Sequence, residues 1–590
     1  MTEQSPTRSA QPGISSKIQT VIRSPWFAIL VLNALLVLPS WLHRSATVPR
    51  FFSFWYEREI FELFWIGIDL IILVALLYFS REWRHRHLIR RSAAAVFSLL
   101  LIFEGYAAII QQFFQREPVL YNDLFLLTDS IYLFLDLAPV NWLLVLGVTG
   151  ALFYLFGRFI PAMFHQIQQG FRQTDEPGRY FRAGVVLFLF FIFVLFDWGI
   201  MKRDAAAQLV TGRVVQSIRT SAEYHRTVNS VDLDSLTNQY NSLQTINLNR
   251  SPHVYFILLE SYGKVILKRP ELRKKILPAL RSLEDTLKKN GWHGASAFST
   301  APVTGGGSWL SHSTILSGVK IANEPLYDQF IRNDYPTMVT FFKEQGYRTF
   351  LLHPADRARP GLSLKNPYNF DEMVTFRDLN YQGKSYGWGI IPDQYSLNFT
   401  NEQYLQQSDD PVFLYFTTLA THVIWSDNAI PPLVEDWRML NKPSETDRKV
   451  SEDHPGEGFL FRVKRVFSQP YKPGNFIKLL KYDLDILRDF ILNEIPENSI
   501  VVIVGDHQPP LLTERGDGTE TILSILSTRH QLTDFYAEIG FKPGLIPAHS
   551  DQNPFAHQEI YPLLVRGLQH AFSTDSSRTV REEMVKSDSG

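Results

Sequence analysis

Titratable side chains follow four short apolar runs that lie far apart in the sequence. Glu260 ends "HVYFILLE", His353 ends "YRTFLLH", His422 ends "PVFLYFTTLATH", and Asp506 and His507 end "SIVVIVGDH". A single histidine after a strand is more often structural, but the same pattern on four strands indicates a functional site. Carboxylate and imidazole ligands suit Mn²⁺, Mg²⁺ or Zn²⁺, and the residue types alone do not select among these ions.

A glycine-rich stretch, "STAPVTGGGSWLSHSTILSG" at residues 299–318, carries the candidate nucleophile. Consecutive glycines let the backbone turn tightly and approach a ligand closely. The next residues predict a helix with Ser308 at or near its N-cap, where the positive helix end stabilises an anion. A divalent cation at the strand ends would lower the pKa of this hydroxyl, so Ser308 is the predicted nucleophile for a phosphate or sulfate ester. Thr304 is the main rival, Thr300 and Ser311 are weaker ones, and a plain N-cap serine is the alternative.

The elements that must position these side chains alternate along residues 251–572. The four apolar runs are typical of strands covered on both faces of a sheet. Helical patterns lie between them, at 271–291, 335–346 and 475–495. Gly291 and Gly346 stand where a left-handed residue ends a helix. This alternation predicts an α/β sandwich with a mainly parallel sheet, whose ligands gather at the carboxyl ends of the strands.

Five apolar stretches precede this region, and each is about long enough to cross a hydrocarbon core of ~30 Å. They lie at residues 26–42, 60–80, 93–114, 140–160 and 181–200. The predicted domains are a transmembrane domain over 1–200, a helical connector over 201–250, a catalytic domain over 251–572 and a disordered tail over 573–590.

Basic residues predict the orientation of these spans. Lys17 and Arg23 precede the first span, and five arginines lie in "REWRHRHLIRR" at 81–91. The gap between the fourth and fifth spans is basic as well. Because cytoplasmic loops carry an excess of Lys and Arg, these three gaps face the cytoplasm and everything after residue 200 lies outside it.

Acidic residues interrupt the apolar region. The stretch at 120–137 contains three aspartates. It predicts either an amphipathic helix on the outer membrane surface or a loop helix packed on the bundle. Asp69 and Glu104 lie within predicted spans, where an acid marks an ion or substrate path or makes a hydrogen bond inside the bundle.

Composition excludes several classes of protein. The 590-residue chain has a formal net charge of −1, so no global basic field indicates nucleic acid as a partner. It contains no cysteine, which excludes disulfides, cysteine zinc ligands and a cysteine nucleophile. A chain without thiols suits an oxidising compartment.

The motifs together resemble the alkaline phosphatase superfamily. Within it, they are most similar to the sulfatase-like, membrane-anchored branch that includes lipoteichoic acid synthase and the phosphoethanolamine transferases. The matching pieces run over about 251–510 in the family's order. They are "HVYFILLES", the glycine-rich loop, "LLHP", "NPYNFDEMV", "WGIIPDQYSL", "TTLATHVIW" and "VVIVGDHQPP". The five-span anchor with an external catalytic domain matches this branch too.

The resemblance implies a metal centre and a covalent mechanism. Glu260, Asp506 and His507 would bind one divalent ion, with Mn²⁺ expected ahead of Mg²⁺ and Zn²⁺. Ser308 would be the fourth ligand and the nucleophile.

The resemblance also implies a substrate site and partners. His353 and His422 would bind the phosphate or the headgroup, and Trp388 and Asp393 would help build the substrate pocket. Such enzymes pass a headgroup from a membrane phospholipid through a covalent intermediate to an extracytoplasmic glycan or lipid. The expected location is a bacterial inner or cell membrane, with several spans and the catalytic domain on the extracytoplasmic side.

The sequence departs from the branch in two places. Ser308 matches a position that usually carries threonine, and Trp309 and Leu310 stand where small and acidic residues are usual. The donor headgroup therefore stays open between phosphoglycerol and phosphoethanolamine. The Cys/Ser-x-Pro-x-Arg motif that true sulfatases modify is absent. A transferase is the leading prediction; a phosphodiesterase or phosphatase and a catalytically inactive envelope-assembly protein are the alternatives.

Two further features are weaker signals. The polar stretch at 426–474 predicts a lid or acceptor-binding loop, with an ordinary solvated insertion as the alternative. His549 and His557 lie close together near the end of the domain, and either is a candidate for lining the site.

Overall fold

The computed structural model describes most of the chain. The described residues are 21–44, 67–114, 116–124, 139–173, 210–230, 242–243, 248, 251–333, 335–356, 366–387, 391–423, 425–443, 473–510, 512–513, 517–548 and 554–572. The predicted fifth span at 181–200, the tail at 573–590, Trp388 and His549 lie outside these residues.

Six helices lie in the described residues before position 251. They are α1 (Pro25–Arg44), α2 (Ile68–Phe79), α3 (Arg86–Phe114), α4 (Pro139–Tyr154), α5 (Ile160–Gln173) and α6 (Val210–Ser230). Helix α4 runs into α5 through a π-helical turn, Leu155–Phe159. We refer to α1–α5 as the membrane-side helices and to α6 as the connector helix.

Two stretches of the described residues are helical, long and apolar enough to cross a membrane. They are Arg86–Ile110 and Leu146–Arg172. Two shorter apolar helices, Pro25–Pro39 and Ile68–Phe79, lie at the first and second predicted spans.

Helix α5 occupies a segment that the sequence assigned to a basic loop after the fourth span. Ile160, Phe164, Ile167 and Phe171 are buried in it. They recur at helical spacing, so they form one apolar face that packs against α1 and α3. The helix therefore continues past residue 160 into the basic segment, whereas the end of the fourth membrane span at this residue stays a prediction.

Acidic side chains in α2 and α3 anchor the connector helix. Asp69 accepts the backbone N–H of Val210 at 2.7 Å and the hydroxyl of Thr211 at 2.5 Å, which satisfies donors at the start of α6. Glu104 is fully buried and pairs with Arg213 at 2.6 Å. Of the two interpretations of these acids, the structure therefore shows the hydrogen bond inside the bundle.

The catalytic domain contains a nine-stranded sheet in the described residues. Its strands are β1 (His253–Leu259), β2 (His293–Thr300), β3 (Arg348–His353), β4 (Glu372–Thr375), β5 (Val412–Thr417), β6 (Ser499–Gly505), β7 (Glu520–Ser527), β8 (Lys542–Pro543) and β9 (Phe555–Ala556). The order is β4-β3-β5-β1-β6-β7-β2-β8, and β9 pairs with β2.

The sheet is mixed rather than mainly parallel. Strands β4, β3, β5, β1 and β6 run parallel, whereas β7 is antiparallel to both β6 and β2, and β8 is antiparallel to β2. The four predicted strands are β3, β5, β1 and β6, which are neighbours in the parallel part. Their carboxyl ends therefore meet at one edge, as the sequence predicted.

Helices cover both faces of this sheet. They are α7 (Val265–Lys268), α8 (Pro270–Lys289), α9 (Ser308–Ser317), α10 (Glu324–Arg332), α11 (Met338–Glu344), α12 (Asp393–Gln403), α13 (Pro473–Asn493), α14 (His530–Glu538) and α15 (Ile560–Phe572). Strand β1 shows why two layers are needed. Tyr255 and Ile257 join the core under α8, α12 and α13, whereas Val254 and Phe256 join the core under α9, α11, α14 and α15. A strand that is apolar on both faces requires this double covering.

Candidate metal centre and active site

Three of the predicted ligands come together at the carboxyl edge of the sheet. Glu260 follows β1 and Asp506 follows β6, and these strands are paired in register up to Leu259 and Gly505. The ligand atoms of Glu260, Asp506 and His507 all lie within 4.8 Å of one another, and all three side chains are buried. We call these three residues the cation cluster.

An unusual backbone conformation supports the cluster. Ser261 has a φ of 61°, a left-handed conformation that costs a residue with a Cβ about 1 kcal/mol. In this conformation its N–H donates to Asp506 Oδ1 at 2.8 Å, and its hydroxyl donates to Glu260 Oε1 at 2.9 Å. The strain is therefore coupled to the orientation of two cluster carboxylates.

Gly505 lets the two strand ends approach closely. A Cβ at this position would lie 2.3 Å from the carbonyl oxygen of Tyr262. Since no side chain tolerates such a contact, glycine is required directly before Asp506.

The cluster fits a divalent cation in its donor set. Asp506 Oδ1 accepts two backbone N–H groups, whereas Oδ2 is buried without a hydrogen-bond partner. The Nδ1 of His507 donates to the Gln508 carbonyl at 2.8 Å, which directs Nε2 toward the two carboxylates. That nitrogen lies 3.3 Å from Asp506 Oδ2 and 3.5 Å from Glu260 Oε1.

The charges of the cluster residues also favour a divalent cation. Burial, together with the neighbouring Glu260, raises the pKa of Asp506 to about 7. Burial opposes a charge on His507, but Asp506 and Glu260 nevertheless raise its pKa. Buried negative charge is thus in excess here, and a divalent cation would stabilise both carboxylates in their ionised form.

The predicted nucleophile lies beside the cluster. Ser308 is the first residue of α9, and Gly307, at φ 74°, is the N-cap. The left-handed Gly307 turns the backbone into the helix, and Ser308 follows as the first helical residue. Ser308 therefore lies one position after the N-cap, at or near which the sequence placed it. Its Oγ is 3.2 Å from His507 Nε2.

The rival hydroxyls are placed differently. Thr304 is exposed, and its carbonyl accepts the N–H of Gln508. Ser311 is fully buried and donates to the Asp506 carbonyl at 2.7 Å, which is a structural contact. Thr300 ends β2. Ser308 is therefore the candidate whose hydroxyl lies within hydrogen-bonding distance of a cluster side chain.

Of the two predicted phosphate-binding histidines, His353 ends β3 and His422 lies in the loop after the neighbouring strand β5. His353 lies 3.0 Å from Asp356 and remains partly exposed. His422 follows β5, and its Nδ1 donates to the Val423 carbonyl at 2.6 Å. Burial lowers the pKa of His422 to about 4, so this imidazole is neutral near pH 7.

Two further histidines border the site. His312 lies one turn after Ser308 on α9, and its ring centroid is 5.9 Å from that of His353. Burial and the neighbouring histidines lower its pKa, and its buried Nε2 has no hydrogen-bond partner. His557 is also buried, with Nε2 at 3.0 Å from the Thr521 hydroxyl, and burial lowers its pKa to about 3. Sequence reasoning missed His312, although the four-residue spacing from Ser308 was a signal for it.

Asp393 lies under the site rather than in contact with its opening. It is 1% exposed, and its carboxylate accepts the N–H groups of Leu419 and Ala420 at 2.7–3.0 Å. Burial raises the pKa of Asp393 to about 6, and burial together with the Asp393 charge raises that of Asp483. These contacts position the loop that carries His422, and the role of Asp393 in the substrate pocket stays a prediction.

A hydroxyl beside a cation cluster, at the carboxyl edge of a doubly covered sheet, is the arrangement of the metal-dependent phosphate- and sulfate-ester enzymes to which the sequence was similar. The sulfatase family model matches residues 252–524. Residues 252–524 are thus similar to a sulfatase-like enzyme, which confirms the predicted resemblance for this region of the chain.

One curated relative is a candidate cyclic β-1,2-glucan modification protein of Rhizobium meliloti (strain 1021). It is 26% identical over 268 residues, a match that covers 44% of this chain and 36% of that protein. The chain thus matches about a third of the relative's length.

Solved structures with detectable similarity share less sequence. They include the lipoteichoic acid synthase LtaP from Listeria monocytogenes, with 13% identity, a TM-score of 0.35, and coverage of 57% of this chain and 80% of that chain. The phosphoglycerol transferase GacH of Streptococcus pyogenes, in complex with sn-glycerol-1-phosphate, has 16% identity and a TM-score of 0.32, and the match covers 57% of this chain and 91% of that chain. The C-terminal periplasmic domain of EptC from Escherichia coli has 14% identity and a TM-score of 0.33, and the match covers 56% of this chain and 85% of that chain.

Proposed function

We propose that the protein is a membrane-anchored phosphotransferase that uses a divalent metal and a covalent intermediate on Ser308. The donor is a phospholipid carrying phosphoglycerol or phosphoethanolamine, and the acceptor is a glycan or lipid of a bacterial cell envelope. The observation that carries this proposal is the position of the Ser308 hydroxyl, 3.2 Å from His507 Nε2 and at the start of α9.

The metal would be held by the cation cluster, with Ser308 as the fourth ligand, and Mn²⁺ is the proposed ion. When bound, it would supply Lewis-acid stabilisation of the phosphoryl oxygens and a lower pKa for the serine hydroxyl.

The first half-reaction forms a phosphoserine. Ser308 Oγ loses its proton and bonds to the donor phosphorus, and the phosphorus–oxygen bond to diacylglycerol breaks. The departing diacylglycerol oxygen takes up a proton, which balances the proton that Ser308 loses. In the second half-reaction an acceptor hydroxyl loses its proton and bonds to phosphorus, and Ser308 leaves and regains a proton.

Neutral imidazoles suit the phosphoryl oxygens in this reaction. His353, His422 and His312 lie around the same strand ends, and burial keeps His422 and His312 uncharged near pH 7. A neutral imidazole donates one N–H without adding a charge. His312 would donate this N–H to the phosphoryl group through Nε2, which has no hydrogen-bond partner. The N–H of His422 is already donated to the Val423 carbonyl, so His422 would contact the headgroup through Nε2 as an acceptor. The predicted pocket roles of Trp388 and Asp393 remain part of this proposal.

The membrane arrangement is proposed from sequence and structure together. We infer five spans within residues 1–200, a connector over 201–250 and an extracytoplasmic catalytic domain over 251–572. The two long apolar helices, the two shorter ones and the distribution of basic residues support this arrangement. The name of the Rhizobium relative supports a glycan as the acceptor.

A hydrolase is the second candidate, because the same phosphoserine can transfer its group to water. An inactive envelope-assembly protein is the third. The intact cluster and the adjacent hydroxyl argue against the third candidate, since a protein without chemistry has no need to hold three ionisable groups together.

Mass spectrometry of the purified full-length protein tests the proposal. We expect incubation with Mn²⁺ and either phosphatidylglycerol or phosphatidylethanolamine to produce an adduct on the 299–318 peptide whose mass identifies the headgroup. Ser308→Ala should abolish the adduct and turnover, whereas Thr304→Ala should retain both. An adduct that persists in the Ser308 variant would refute the assignment. Turnover without any adduct or acceptor product would instead favour the hydrolase.

A further inference from the structure

A short segment connects the membrane-side helices to the catalytic domain. Residues 116–124, which we call the docking segment, fold around Asp123. The carboxylate of Asp123 accepts the Val119 N–H at 3.0 Å, and it also binds the Arg116 guanidinium and the Tyr106 hydroxyl of α3. This buried acid therefore fixes the docking segment to a membrane-side helix.

The docking segment also contacts the connector helix. The backbone N–H of Leu120 donates to the Ser217 hydroxyl at 3.3 Å, and that of Tyr121 donates to the Ser221 hydroxyl at 3.1 Å. The ring of Tyr121 packs edge-on to His225, with centroids 5.3 Å apart. Contacts to both α3 and α6 leave the segment little freedom to move relative to the membrane-side helices.

Asn122 extends these contacts to the catalytic domain. Its Oδ1 accepts the backbone N–H of Glu324, the first residue of α10, at 2.7 Å, and its Nδ2 donates to Asp123 Oδ1 at 3.1 Å. The first N–H groups of a helix have no acceptor within the helix, so Asn122 supplies one from another part of the chain. Asn122 is 3% exposed, which makes loss of this bond costly.

The contact continues to the nucleophile. The side chain of Glu324 accepts the indole N–H of Trp309 at 3.1 Å, and Trp309 directly follows Ser308 in the first turn of α9. The series Asp123, Asn122, Glu324, Trp309 thus links a membrane-side helix to the helix that presents the nucleophile.

We propose that Asn122 is a positioning residue that aligns the Ser308 helix with the membrane surface, so that the enzyme acts on a donor embedded in the bilayer. This inference rests on the proposed phosphotransferase function and adds the residue that positions its nucleophile helix. A lipid donor is held at a fixed depth, so its phosphorus reaches Ser308 only if the domain is held in register with the membrane. A soluble phosphodiester diffuses into the site in any orientation of the domain. Small losses of alignment lower the rate of a preorganised reaction strongly.

The test compares two substrates in full-length protein reconstituted in vesicles with Mn²⁺. One is phosphatidylglycerol mixed with phosphatidylethanolamine in the vesicle, and the other is soluble bis(p-nitrophenyl) phosphate. For Asn122→Ala we expect lipid turnover to fall about tenfold, as for the loss of one buried hydrogen bond of about 1.4 kcal/mol. Turnover of the soluble diester should stay within about twofold of the wild type.

Matched variants separate positioning from folding. Trp309→Phe removes the donor at the other end of the series and should lower the ratio of lipid to soluble turnover in the same direction. Asn333→Ala changes an exposed asparagine at the far end of α10 and should leave the ratio unchanged. Unfolding temperature and metal content are measured for each variant, so a folding defect is recognised directly.

Each outcome has one consequence. Equal losses of turnover on both substrates in Asn122→Ala would show that Asn122 has a structural role only. Unchanged lipid turnover would show that Asn122 does not position the Ser308 helix. Either result overturns this inference and leaves the proposed function standing. A wild-type protein that turns over the soluble diester but neither lipid would refute the proposed function, and the inference with it.

Discussion

Acidic side chains are buried in two regions of this protein, and their charges are balanced differently. In the membrane-side helices each acid meets fixed donors: Asp69 binds the start of α6, and Glu104 pairs with Arg213. At the sheet edge, Asp506 is fully buried and yet its Oδ2 has no hydrogen-bond partner. Protein groups stabilise the first set of acids, whereas the arrangement of the second set fits a cation.

The Asp393–Asp483 pair shows a third solution. Asp393 accepts two backbone N–H groups, and the pKa of each carboxyl is raised by burial, so the pair retains a proton. The comparison teaches that burial by itself does not identify a reactive acid. What distinguishes the cation cluster is that two carboxylates and a histidine converge within 4.8 Å, with a serine hydroxyl 3.2 Å from the histidine.

The largest expected effect comes from Asp506→Asn. Turnover should fall at least about 10³-fold, and the bound metal should drop to background, because the cluster loses one of its two anionic ligands. The metal-free variant should unfold at the wild-type temperature or above it, since the substitution removes repulsion with Glu260. Turnover, metal analysis and thermal unfolding in chelator measure these changes. A large loss of stability in chelator would show that Asp506 is a structural acid like Glu104.

The matching substitution in the other region is Glu104→Leu. It removes the main partner of the buried Arg213 guanidinium and should lower the free energy of unfolding by about 3 kcal/mol. Glu117, 3.2 Å from Arg213, limits the loss. Metal content should not change. Thermal unfolding in detergent measures the effect, and Glu104→Leu with Arg213→Leu should recover much of it. If the double variant is no more stable than the single one, the ion pair is not what anchors α6.

Two substitutions at Ser261 test the support of the cluster. Ser261→Ala removes the hydroxyl that binds Glu260 and should weaken metal affinity about 10- to 100-fold. Ser261→Gly loses the same hydroxyl but relieves the left-handed strain, so it should be more stable than the alanine variant by about 1 kcal/mol. Calorimetric metal titration and thermal unfolding separate the two effects. Equal stability of both variants would argue against strain at this position.

The smallest expected effect is a change in the pH dependence of stability with Asp483→Asn. Burial raises the pKa of Asp393 from 3.8 to about 6 and raises that of Asp483 further, so the folded protein holds protons that the unfolded chain releases. The stability from these protons is complete below about pH 4 and is lost as pH rises through the folded values.

Asp483→Asn replaces the ionisable carboxyl with an amide, which releases no proton in this pH range. The amide can still donate a hydrogen bond to Asp393. The unfolding temperature of this variant relative to the wild type should therefore increase from pH 5 to pH 8. Both proteins are measured in chelator, because metal bound at the cation cluster would add its own pH dependence to the stability. Parallel curves for the two proteins would show that the pair does not share a proton.

The sequence alone determined the parallel half of the catalytic domain and most of its site. The four apolar strands are neighbours in the sheet because strands buried on both faces must lie in its interior, and their titratable ends consequently meet. Gly291 and Gly346 adopt the left-handed conformation that ends a helix, and the glycine-rich turn places Ser308 at the start of α9. Local chemistry was sufficient for each of these predictions.

Only the tertiary structure decided the remainder. Strands β2 and β7 carry serines and threonines among their apolar residues, and their antiparallel pairing depends on distant partners that no local pattern specifies. The placement of Asp393 beneath the His422 loop, and the contact from Asn122 to Glu324, join residues 26 and 202 positions apart. Side-chain spacing along the chain predicts which residues share an element, but which elements meet is decided by packing of the whole fold.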